Sequence, residues 1–406
     1  MDQSTLNPEQ LDGVTKFNAF MSDPTKKMLA ISGPAGVGKT YLTKFLLQML
    51  PQLDKLKKLI DETHVETEFL LLANTTKAAR SLSDATGLNA HTVHSGLGLK
   101  PDYTKSKQND LVFVTTRVTR NKLIFIDEAF SMTKELIELI DTACKDCKFV
   151  MIGDEWQLPP INEKHSSLVN SADFFIDLIT PMRQTAGTPL QLLCEDLRQA
   201  VINSTFPEIK PNGLDIIQID DKDLFEEMIS DEFIKAGPLG DKTKVLAYTN
   251  PTIRRYNRKI SKALGITQEF QVGTQYVINS LFRSSQGKLV PPESVMLITQ
   301  VSPTTLKKDH SGYMVTGTVD GRQVTGFVPD NAPSYRKTLL GVERLEILSL
   351  RLNFALTIHK AQGSTYDTVF IDTADIMDNC YDASTLLRLL SVGVSRARTK
   401  VVLYGS

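Results

Sequence analysis

Short runs of aliphatic and β-branched residues, separated by stretches of helix length, recur along this chain. Each run is apolar throughout instead of alternating, which is typical of parallel strands covered on both faces. Four of the runs precede residue 155 and three follow residue 243, so the pattern predicts two α/β domains with parallel sheets. The predicted strands are Met28–Ser32, Glu68–Ala73, Lys122–Ile126, Lys148–Gly153, Lys244–Thr249, Thr368–Asp372 and Lys400–Tyr404.

The second domain is interrupted by a segment of different character, from about residue 268 to 348. There the apolar residues alternate with polar ones in short runs, and Asp320-Gly321 separates the runs Gly312–Val319 and Arg322–Val328, which is a strong hairpin signal. We expect a small antiparallel, SH3-like β-barrel in this segment. The predicted domains are therefore 1–185, then 186–267 together with 349–406, with 268–348 inserted.

A second, smaller insertion is predicted in the first domain, between residues 96 and 120. The segment is polar and basic around a Pro101-Asp102 turn, and Tyr103 and Phe113 flank that turn. This composition indicates a projecting hairpin and not a part of the core.

Composition limits how such a protein could bind its partners. With 46 basic and 47 acidic residues the net charge is −1, so nucleic acid would have to be held by a local cleft and not by a globally basic surface. The N-terminal residues lack a basic start followed by an apolar run, only four cysteines occur, and no apolar segment approaches the roughly 18 residues of a membrane span. We expect a cytoplasmic protein without a membrane partner.

A glycine-rich turn stands between the first predicted strand and a helix. The residues Gly33-Pro34-Ala35-Gly36-Val37-Gly38-Lys39-Thr40 match the eight-position P-loop pattern in the strand-loop-helix context that the pattern requires. In such a loop backbone N–H groups surround the phosphates, Lys39 reaches the β- and γ-phosphates, and Thr40 ligates Mg²⁺. The alternative is a glycine turn that only begins a helix.

Two more polar loops follow apolar strands. Asp127 and Glu128 end the strand Lys122–Ile126, and with a P-loop upstream Asp127 would hold Mg²⁺ while Glu128 would polarise the attacking water. Gln157, in the loop after Lys148–Gly153, could sense the γ-phosphate. The alternatives are a solvated strand-to-helix turn for the acids and a turn amide for Gln157. The guanine-selecting Asn-Lys-x-Asp of GTPases is absent, because Asn121-Lys122 continues as Leu123-Ile124.

Taken in order, these and further motifs resemble those of superfamily 1 helicases, and more narrowly of the RecD-like group. The resemblance covers nearly the whole chain, and its most specific part is Leu356–Ser364, which is close to motif V. Further matches are Leu6–Gln10 to the adenine-reading Q motif, Gly33–Thr40 to motif I, Leu71–Ala79 to motif Ia, Ala90–Ser95 to the Thr-x-His motif, Asp127–Met132 to motif II, Gly153–Pro160 to motif III, Met182–Gln184 to motif IV and Val392–Arg398 to motif VI. Motif Ia departs from the pattern at Asn74, where relatives often have proline.

The resemblance implies two RecA-like domains and ATP and Mg²⁺ as cofactors. It implies that Gln10 and Gly363 contact the nucleotide and that Arg183 and Arg396 stabilise the γ-phosphate in the manner of arginine fingers, although surface ion pairing is the alternative for both arginines. It further implies 5′→3′ movement on single-stranded and forked DNA, a monomer, and single-strand-binding or replication proteins as partners.

Contacts to a nucleic-acid strand need hydroxyls, amides and stacking groups. Tyr103 or Phe113 in the hairpin would correspond to the pin that splits a duplex, unless an aromatic there only packs against the hairpin base. The other candidates, each of which could instead be a cap or a satisfied polar side chain, are Thr75, Thr76, His94, Asn250, Thr357 and His359. The basic cluster Arg254, Arg255, Arg258 and Lys259 is predicted to be a solvated helical face.

The sequence leaves three functions open. The first is an ATP-dependent helicase on DNA or RNA. The second is a nucleic-acid-stimulated ATPase that translocates or displaces proteins without unwinding, and the third is a P-loop switch that acts through a protein partner.

Overall fold

A computed structural model describes residues 5–101, 113–160, 168, 171–180, 187–239, 241–287, 289–306, 310–330 and 346–405. Tyr103 and Arg183, two predicted site residues, lie outside these ranges. The chain forms two compact units, Met1–Gly187 and Thr188–Ser406.

The first unit alternates helices and strands. Its elements are α1 (Pro8–Ser22), β1 (Met28–Ser32), α2 (Lys39–Ile60), β2 (Phe69–Ala73), α3 (Thr76–Thr86), β3 (Ala90–Thr92), α4 (Val93–Gly96), β4 (Leu99–Pro101), β5 (Phe113–Thr115), β6 (Thr119–Arg120), β7 (Leu123–Asp127), a 3₁₀ turn (Ala129–Ser131), α5 (Lys134–Ala143), β8 (Cys144–Lys145), β9 (Lys148–Gly153) and β10 (Phe174–Asp177). Six of the strands form one parallel sheet in the order β10-β1-β9-β7-β2-β3.

Helix α1 begins at a capping box that the sequence specifies. The side chain of Asn7 accepts from the backbone N–H of Gln10, the Gln10 side chain accepts from the N–H of Asn7, and Pro8 occupies the first turn. The helix buries Val14, Phe17 and Met21, whose spacing of three and four residues places them on one face.

Both faces of this sheet are covered, which explains the uninterrupted apolar strands. Leu29 and Ile31 of β1 and Phe125 of β7 belong to a core with α1 and α2, while Ile124 and Ile126 of β7 face the opposite core. Because alternate side chains point to opposite faces, a strand between two cores must be apolar at every position.

The second unit contains its own parallel sheet. Its elements are α6 (Pro189–Asn203), β11 (Ile216–Ile219), α7 (Lys222–Ala236), β12 (Thr243–Ala247), α8 (Asn250–Ala263), β13 (Gln275–Ile278), β14 (Phe282–Arg283), β15 (Leu289–Val290), β16 (Val295–Leu306), β17 (His310–Val319), β18 (Arg322–Pro329), β19 (Leu350–Leu352), β20 (Ala355–Thr357), α9 (Ile358–Ala361), β21 (Tyr366–Asp372), α10 (Thr373–Asn379), α11 (Ala383–Val394) and β22 (Ala397–Tyr404). The parallel sheet has the order β11-β22-β21-β12-β20.

The inserted segment forms a separate antiparallel sheet of order β18-β17-β16-β13-β19. The predicted hairpin is present: Val319 pairs with Arg322, and Asp320 and Gly321 both have positive φ (50° and 72°), as a two-residue turn of the right twist requires. A bridge between Phe327 of β18 and Ile347, which precedes β19, brings the two edges of the sheet together, so the sheet curls towards a small barrel. The insertion was predicted to end at residue 348, whereas β19, which belongs to this sheet, begins at Leu350.

The base of the predicted hairpin in the first unit is also present. Strands β4 and β5 pair antiparallel, with Leu99 opposite Thr115, and Thr116 donates its backbone N–H to Gly98. No helix in the described ranges has the length and apolarity that a membrane span would need.

Four short strands of the parallel sheets escaped the sequence analysis: β3, β10, β11 and β20. Several predicted strand ends differ from the observed ones. The strands β21 and β22 begin earlier, at Tyr366 and Ala397, than the predicted Thr368 and Lys400, and β12 ends at Ala247, whereas the expected strand ran to Thr249. Thr249 is instead the N-cap of α8, and Asn250 is the first residue of that helix.

Candidate nucleotide site and nucleic-acid interface

The polar loops of the first unit lie at one edge of its sheet. Strands β1, β9, β7 and β2 are adjacent and parallel, so the loops that follow Ser32, Gly153, Asp127 and Ala73 leave the sheet side by side. The backbone N–H of Gly33 donates to the carbonyl of Gly153 (3.1 Å), which joins the first two loops directly. Ligands of open parallel α/β sheets bind at this carboxyl edge.

The glycines of the P-loop are required by its backbone. Gly36 and Gly38 have φ of 90° and 87°, a region that residues with a side chain rarely adopt. A Cβ on Gly33 would lie 2.3 Å from the carbonyl oxygen of Leu178, so a side chain cannot be accommodated there. The loop therefore keeps a bare backbone whose N–H groups can approach phosphate oxygens closely.

Lys39 and Thr40 form the first turn of α2, directly after the loop. The Nζ of Lys39 donates to the carbonyl oxygens of Gly33 (2.6 Å) and Pro34 (2.8 Å), which holds the ammonium group across the mouth of the loop. The 22-residue helix adds the positive end of its dipole at the same place. This arrangement is suited to a polyphosphate.

Asp127 and Glu128 stand two strands away, at the end of β7. Burial, and then the neighbouring charge of Glu128, raise the pKa of Asp127 to about 6, while Lys39 acts in the opposite direction. Glu128 has a φ of 54°, and its backbone N–H donates to the Asp127 carboxylate (3.0 Å). The strained residue keeps two carboxyl groups together at a partly desolvated edge, where a cation would be stabilised.

Gln157 is held in the third loop by a residue that the sequence analysis missed. The buried carboxylate of Asp154 accepts from the Gln157 side-chain amide (3.2 Å) and from the backbone N–H of Trp156 (3.2 Å). Asp154 therefore orients Gln157 at the edge that carries the P-loop and Asp127.

The oxygen and the nitrogen of the Gln10 side chain differ in their hydrogen bonding. Its side chain is fully buried, and its Oε1 serves the capping box of α1. Its Nε2 is buried without a hydrogen-bond partner among the described residues. A buried amide N–H that lacks an acceptor costs free energy, so this donor is available to an acceptor on a ligand.

The strand-contact candidates of the first unit lie at the same carboxyl edge. Thr75 is the N-cap of α3 and accepts from the N–H of Ala78 (3.1 Å), and both Thr75 and Thr76 are exposed. His94, in α4, packs its ring against Phe113 of β5 (centroids 4.5 Å apart), and burial lowers the pKa of His94, which favours the neutral ring. Phe113 therefore lies at the base of the hairpin.

Gly363 and Arg396 meet at the amino edge of the second sheet. They precede β21 and β22, and the buried guanidinium of Arg396 donates to the carbonyls of Ser364 (3.2 Å) and Val392 (3.0 Å) and to the Ser395 hydroxyl. Arg396 thereby caps the carboxyl end of α11. Gly363 has a φ of 67°.

The remaining candidates of the second unit lie at the opposite, carboxyl edge. Ala247 pairs with Thr357, so Asn250 and His359 follow the ends of neighbouring strands. Thr357 is buried as the N-cap of α9, and burial lowers the pKa of His359.

Two residues at that edge were not anticipated. Tyr248 lies beside His359 with ring centroids 6.0 Å apart and is partly exposed. The carboxylate of Asp375 accepts from the backbone N–H groups of Tyr248 and Thr249 (both 2.8 Å) and from the hydroxyls of Thr249 and Thr252. Asp375 is more than a hundred residues distant in sequence, so only the fold reveals this contact. No separate signal in the sequence pointed to Tyr248, because it lies inside the predicted strand Lys244–Thr249 and follows only the shorter observed strand.

The chain resembles two curated helicases over most of its length. It is 23% identical to the ATP-dependent DNA helicase Dda of enterobacteria phage T4, an alignment that covers 95% of this chain and 96% of Dda. It is 24% identical to the ATP-dependent RecD2 DNA helicase of Deinococcus radiodurans, covering 94% of this chain and 47% of RecD2. A crystal structure of Bacteroides Pif1 helicase, in complex with ADP-AlF3 and single-stranded DNA, matches with a TM-score of 0.52 at 16% identity, covering 97% of this chain and 92% of Pif1.

The P-loop, the carboxylates of β7 and Gln157 on the edge of a parallel sheet define a P-loop ATPase. Family models agree in both units: an AAA domain matches residues 17–163 and a UvrD-like helicase C-terminal domain matches residues 352–404. Together these matches support a superfamily 1 helicase of the Dda, RecD and Pif1 type, and the two parallel sheets of the chain are RecA-like.

Proposed function

We propose that this ATP-hydrolysing helicase moves along single-stranded DNA in the 5′→3′ direction and separates the strands of a fork. The observation that carries the proposal is the placement of the P-loop, Asp127, Glu128 and Gln157 at one carboxyl edge, with the exposed hydroxyls of Thr75 and Thr76 following the next strand. Groups for phosphate chemistry and groups for strand contact then share one rigid sheet, so a change at one can reach the other.

The residues fit Mg²⁺ as well as ATP. The Thr40 hydroxyl and the Asp127 carboxylate are hard oxygen donors, and the raised pKa of Asp127 reflects an anion that a cation would relieve. When bound, Mg²⁺ would neutralise charge on the β- and γ-phosphates. Glu128 would orient and deprotonate the attacking water, Lys39 would hold the phosphates, and Gln157, oriented by Asp154, would contact the γ-phosphate.

The base of the nucleotide would be read by Gln10. Its buried Nε2 lacks an acceptor among the described residues, and an adenine ring nitrogen can supply one. Following the family resemblance, Arg183 and Arg396 would stabilise the charge that develops on the γ-phosphate, and Gly363 would approach the nucleotide.

The strand would be held by side chains that do not depend on base identity. Thr75, Thr76, Asn250 and Thr357 offer hydroxyl and amide groups for phosphates, and His359 with Tyr248 offers ring faces for bases. His94 joins this set, while Tyr103 and Phe113 are the residues that the proposal assigns to contact with the fork. The cellular setting we propose is the cytoplasm, with a monomer acting beside single-strand-binding or replication proteins.

A fork assay tests the proposal. Duplexes with a single-stranded tail at either the 5′ or the 3′ end are incubated with ATP and Mg²⁺, beside the Lys39→Ala variant. We expect strand release from the 5′-tailed substrate only, and none with Lys39→Ala, because the structure holds the Lys39 ammonium group at the P-loop carbonyls of Gly33 and Pro34, where the phosphates would bind. Strand release from the 3′-tailed substrate only would contradict the proposed direction and indicate 3′→5′ movement. ATP turnover without strand release on either substrate would favour a translocase that does not unwind.

A further inference from the structure

Helix α8 carries a concentration of positive charge that the proposed function does not use. Its 14 residues include five cations, Arg254, Arg255, Arg258, Lys259 and Lys262, and no acid. The whole chain has a net charge of −1, so this helix departs sharply from the average surface.

One side of the helix is fixed to the core of the second unit. Ile253, Tyr256 and Ile260 are buried, and the Tyr256 hydroxyl donates to Asp372 (2.7 Å). The Asn257 side chain donates to the carbonyl of Ala355 (3.0 Å) and accepts from its N–H (3.0 Å). The opposite, cationic side is therefore presented by a rigid helix.

The five cations divide into two groups. Arg255 pairs with Asp372 (3.3 Å), and Lys259 pairs with Glu226, so these two support the packing of the unit. Arg254, Arg258 and Lys262 are exposed and form no ion pair with any described residue. We call these three the α8 row. Their spacing of four residues aligns them along one side of the helix, where like charges destabilise each other.

The row leads away from the edge where the strand contacts are proposed. Asn250 begins the helix at the carboxyl edge of β12, Arg254 follows one turn later, and Lys262 lies near the other end, so the row spans about 12 Å. At its far end an open cavity of about 650 Å³ is lined by Arg258, Lys259, Lys262 and the loop to Thr267. Among the residues that the structure describes, no aromatic ring stacks on these three cations or lines the cavity, which suits phosphates and not bases.

We propose that the α8 row is a second nucleic-acid site, which binds backbone phosphates of the strand or duplex arm that lies outside the single-strand track. This inference rests on the proposed function. A duplex presents a phosphate about every 3.4 Å along each strand, so a 12 Å row can neutralise three of them. The Thr249 to Asn250 turn would then connect the two sites, because Asp375 fixes that turn to the sheet.

The test measures how affinity depends on salt. The triple variant Arg254→Gln, Arg258→Gln and Lys262→Gln is compared with a control that removes three exposed lysines elsewhere in the same unit, Lys222→Gln, Lys235→Gln and Lys242→Gln. Binding of a blunt duplex, a single strand and a fork is titrated between about 50 and 200 mM salt, and folding is checked by circular dichroism.

The logarithm of the binding constant falls linearly with the logarithm of the salt concentration. We expect this slope to be less steep in the row variant than in the wild type, by about 2 if the outer ligand is a single strand and by about 3 if it is a duplex arm. Over that salt range this is a roughly 20- or 40-fold smaller loss of affinity than in the wild type, while the control stays within twofold of the wild type. Equal slopes for row variant and control would overturn the inference and leave an acidic protein surface as the ligand. If the wild type itself fails to bind any nucleic acid, the proposed function fails first.

Discussion

Replacing Asp127 by Asn is expected to stabilise the first unit while abolishing ATP turnover. The carboxylate of Asp127 is desolvated at the end of β7 and stands beside Glu128, and these two effects raise its pKa to about 6. The folded protein therefore opposes the ionised form that the proposed chemistry needs. Asn keeps the oxygen that accepts the N–H of Glu128 and removes the charge.

The magnitude follows from the pKa. The difference between about 6 and the ordinary value of 3.8 corresponds to about 3 kcal/mol at 1.36 kcal/mol per pKa unit. Because the side chain keeps part of its solvent contact and an amide must also be accommodated, we expect about 1–2 kcal/mol. The sign follows from the raised pKa in the folded state. Below about pH 4 the Asp127 carboxyl is protonated in both the folded and the unfolded protein, so it does not destabilise the wild type. As the pH rises through about 6 the carboxyl ionises in the folded protein too, and the stability that the wild type had at low pH is lost.

Urea unfolding without nucleotide or metal measures this effect. Trp156 is the only tryptophan, and it lies in the first unit, so its fluorescence reports on that unit. The free energy of unfolding of Asp127→Asn should exceed that of the wild type at pH 8. The difference should be about half as large at pH 5 and should nearly vanish at pH 4. The control Asp146→Asn alters an exposed acid of the same unit at a positive φ that Asn tolerates, and should stay within about 0.5 kcal/mol. A variant no more stable than the wild type at pH 8, or a gain independent of pH, would refute the reasoning.

Two further predictions concern recognition. Gln10→Glu keeps an acceptor for the capping box but removes the buried Nε2 donor, so the ratio of kcat/KM for ATP over GTP should fall about tenfold. Some stability should be lost as well, because a carboxyl group replaces a fully buried amide. An unchanged ratio would remove Gln10 from base recognition. Tyr248→Ala should raise the single-strand concentration for half-maximal stimulation by roughly 5- to 150-fold, because base stacking is worth about 1–3 kcal/mol, whereas Tyr248→Phe keeps the ring and should match the wild type; similar losses in both variants would argue against stacking.

The sequence predicted the elements that local chemistry determines. The strand Lys148–Gly153 is observed with the predicted bounds, the turn at Asp320-Gly321 joins the expected strands, and the capping box that starts α1 is formed by Asn7 and Gln10, which are three residues apart in the chain. These elements are set by uninterrupted apolar runs, a turn that needs positive φ, and a side-chain cap, all of which are visible within a few residues.

The strands that were missed depend on neighbours distant in the chain. Ala90–Thr92 and Phe174–Asp177 lie at the two edges of the first sheet, where a strand needs fewer apolar residues because one side has no partner strand. Ala355–Thr357 is only three residues long and is held by the side chain of Asn257 from α8. These strands are only three or four residues long, so their patterns do not differ from those of loops.

The candidate site divides in the same way. The P-loop and Asp127 could be predicted, because the residue pattern indicates phosphate and Mg²⁺ binding and the preceding apolar strands indicate the carboxyl edge of a parallel sheet. The hydrogen bonds of Asp154 with Gln157 and of Asp375 with Tyr248 could not be predicted, because the partners of these carboxylates are determined by the tertiary structure. The buried capping contacts of Arg396 were also invisible in a motif that indicated only phosphate chemistry.

The most direct test of this account is steady-state ATP turnover measured without polymer, with single-stranded DNA and with single-stranded RNA. The account predicts slow turnover by the protein alone, strong acceleration by DNA that weakens as salt rises, and little acceleration by RNA. Turnover that does not respond to either polymer would contradict it and point to a nucleotide switch, and acceleration by RNA alone would reassign the substrate.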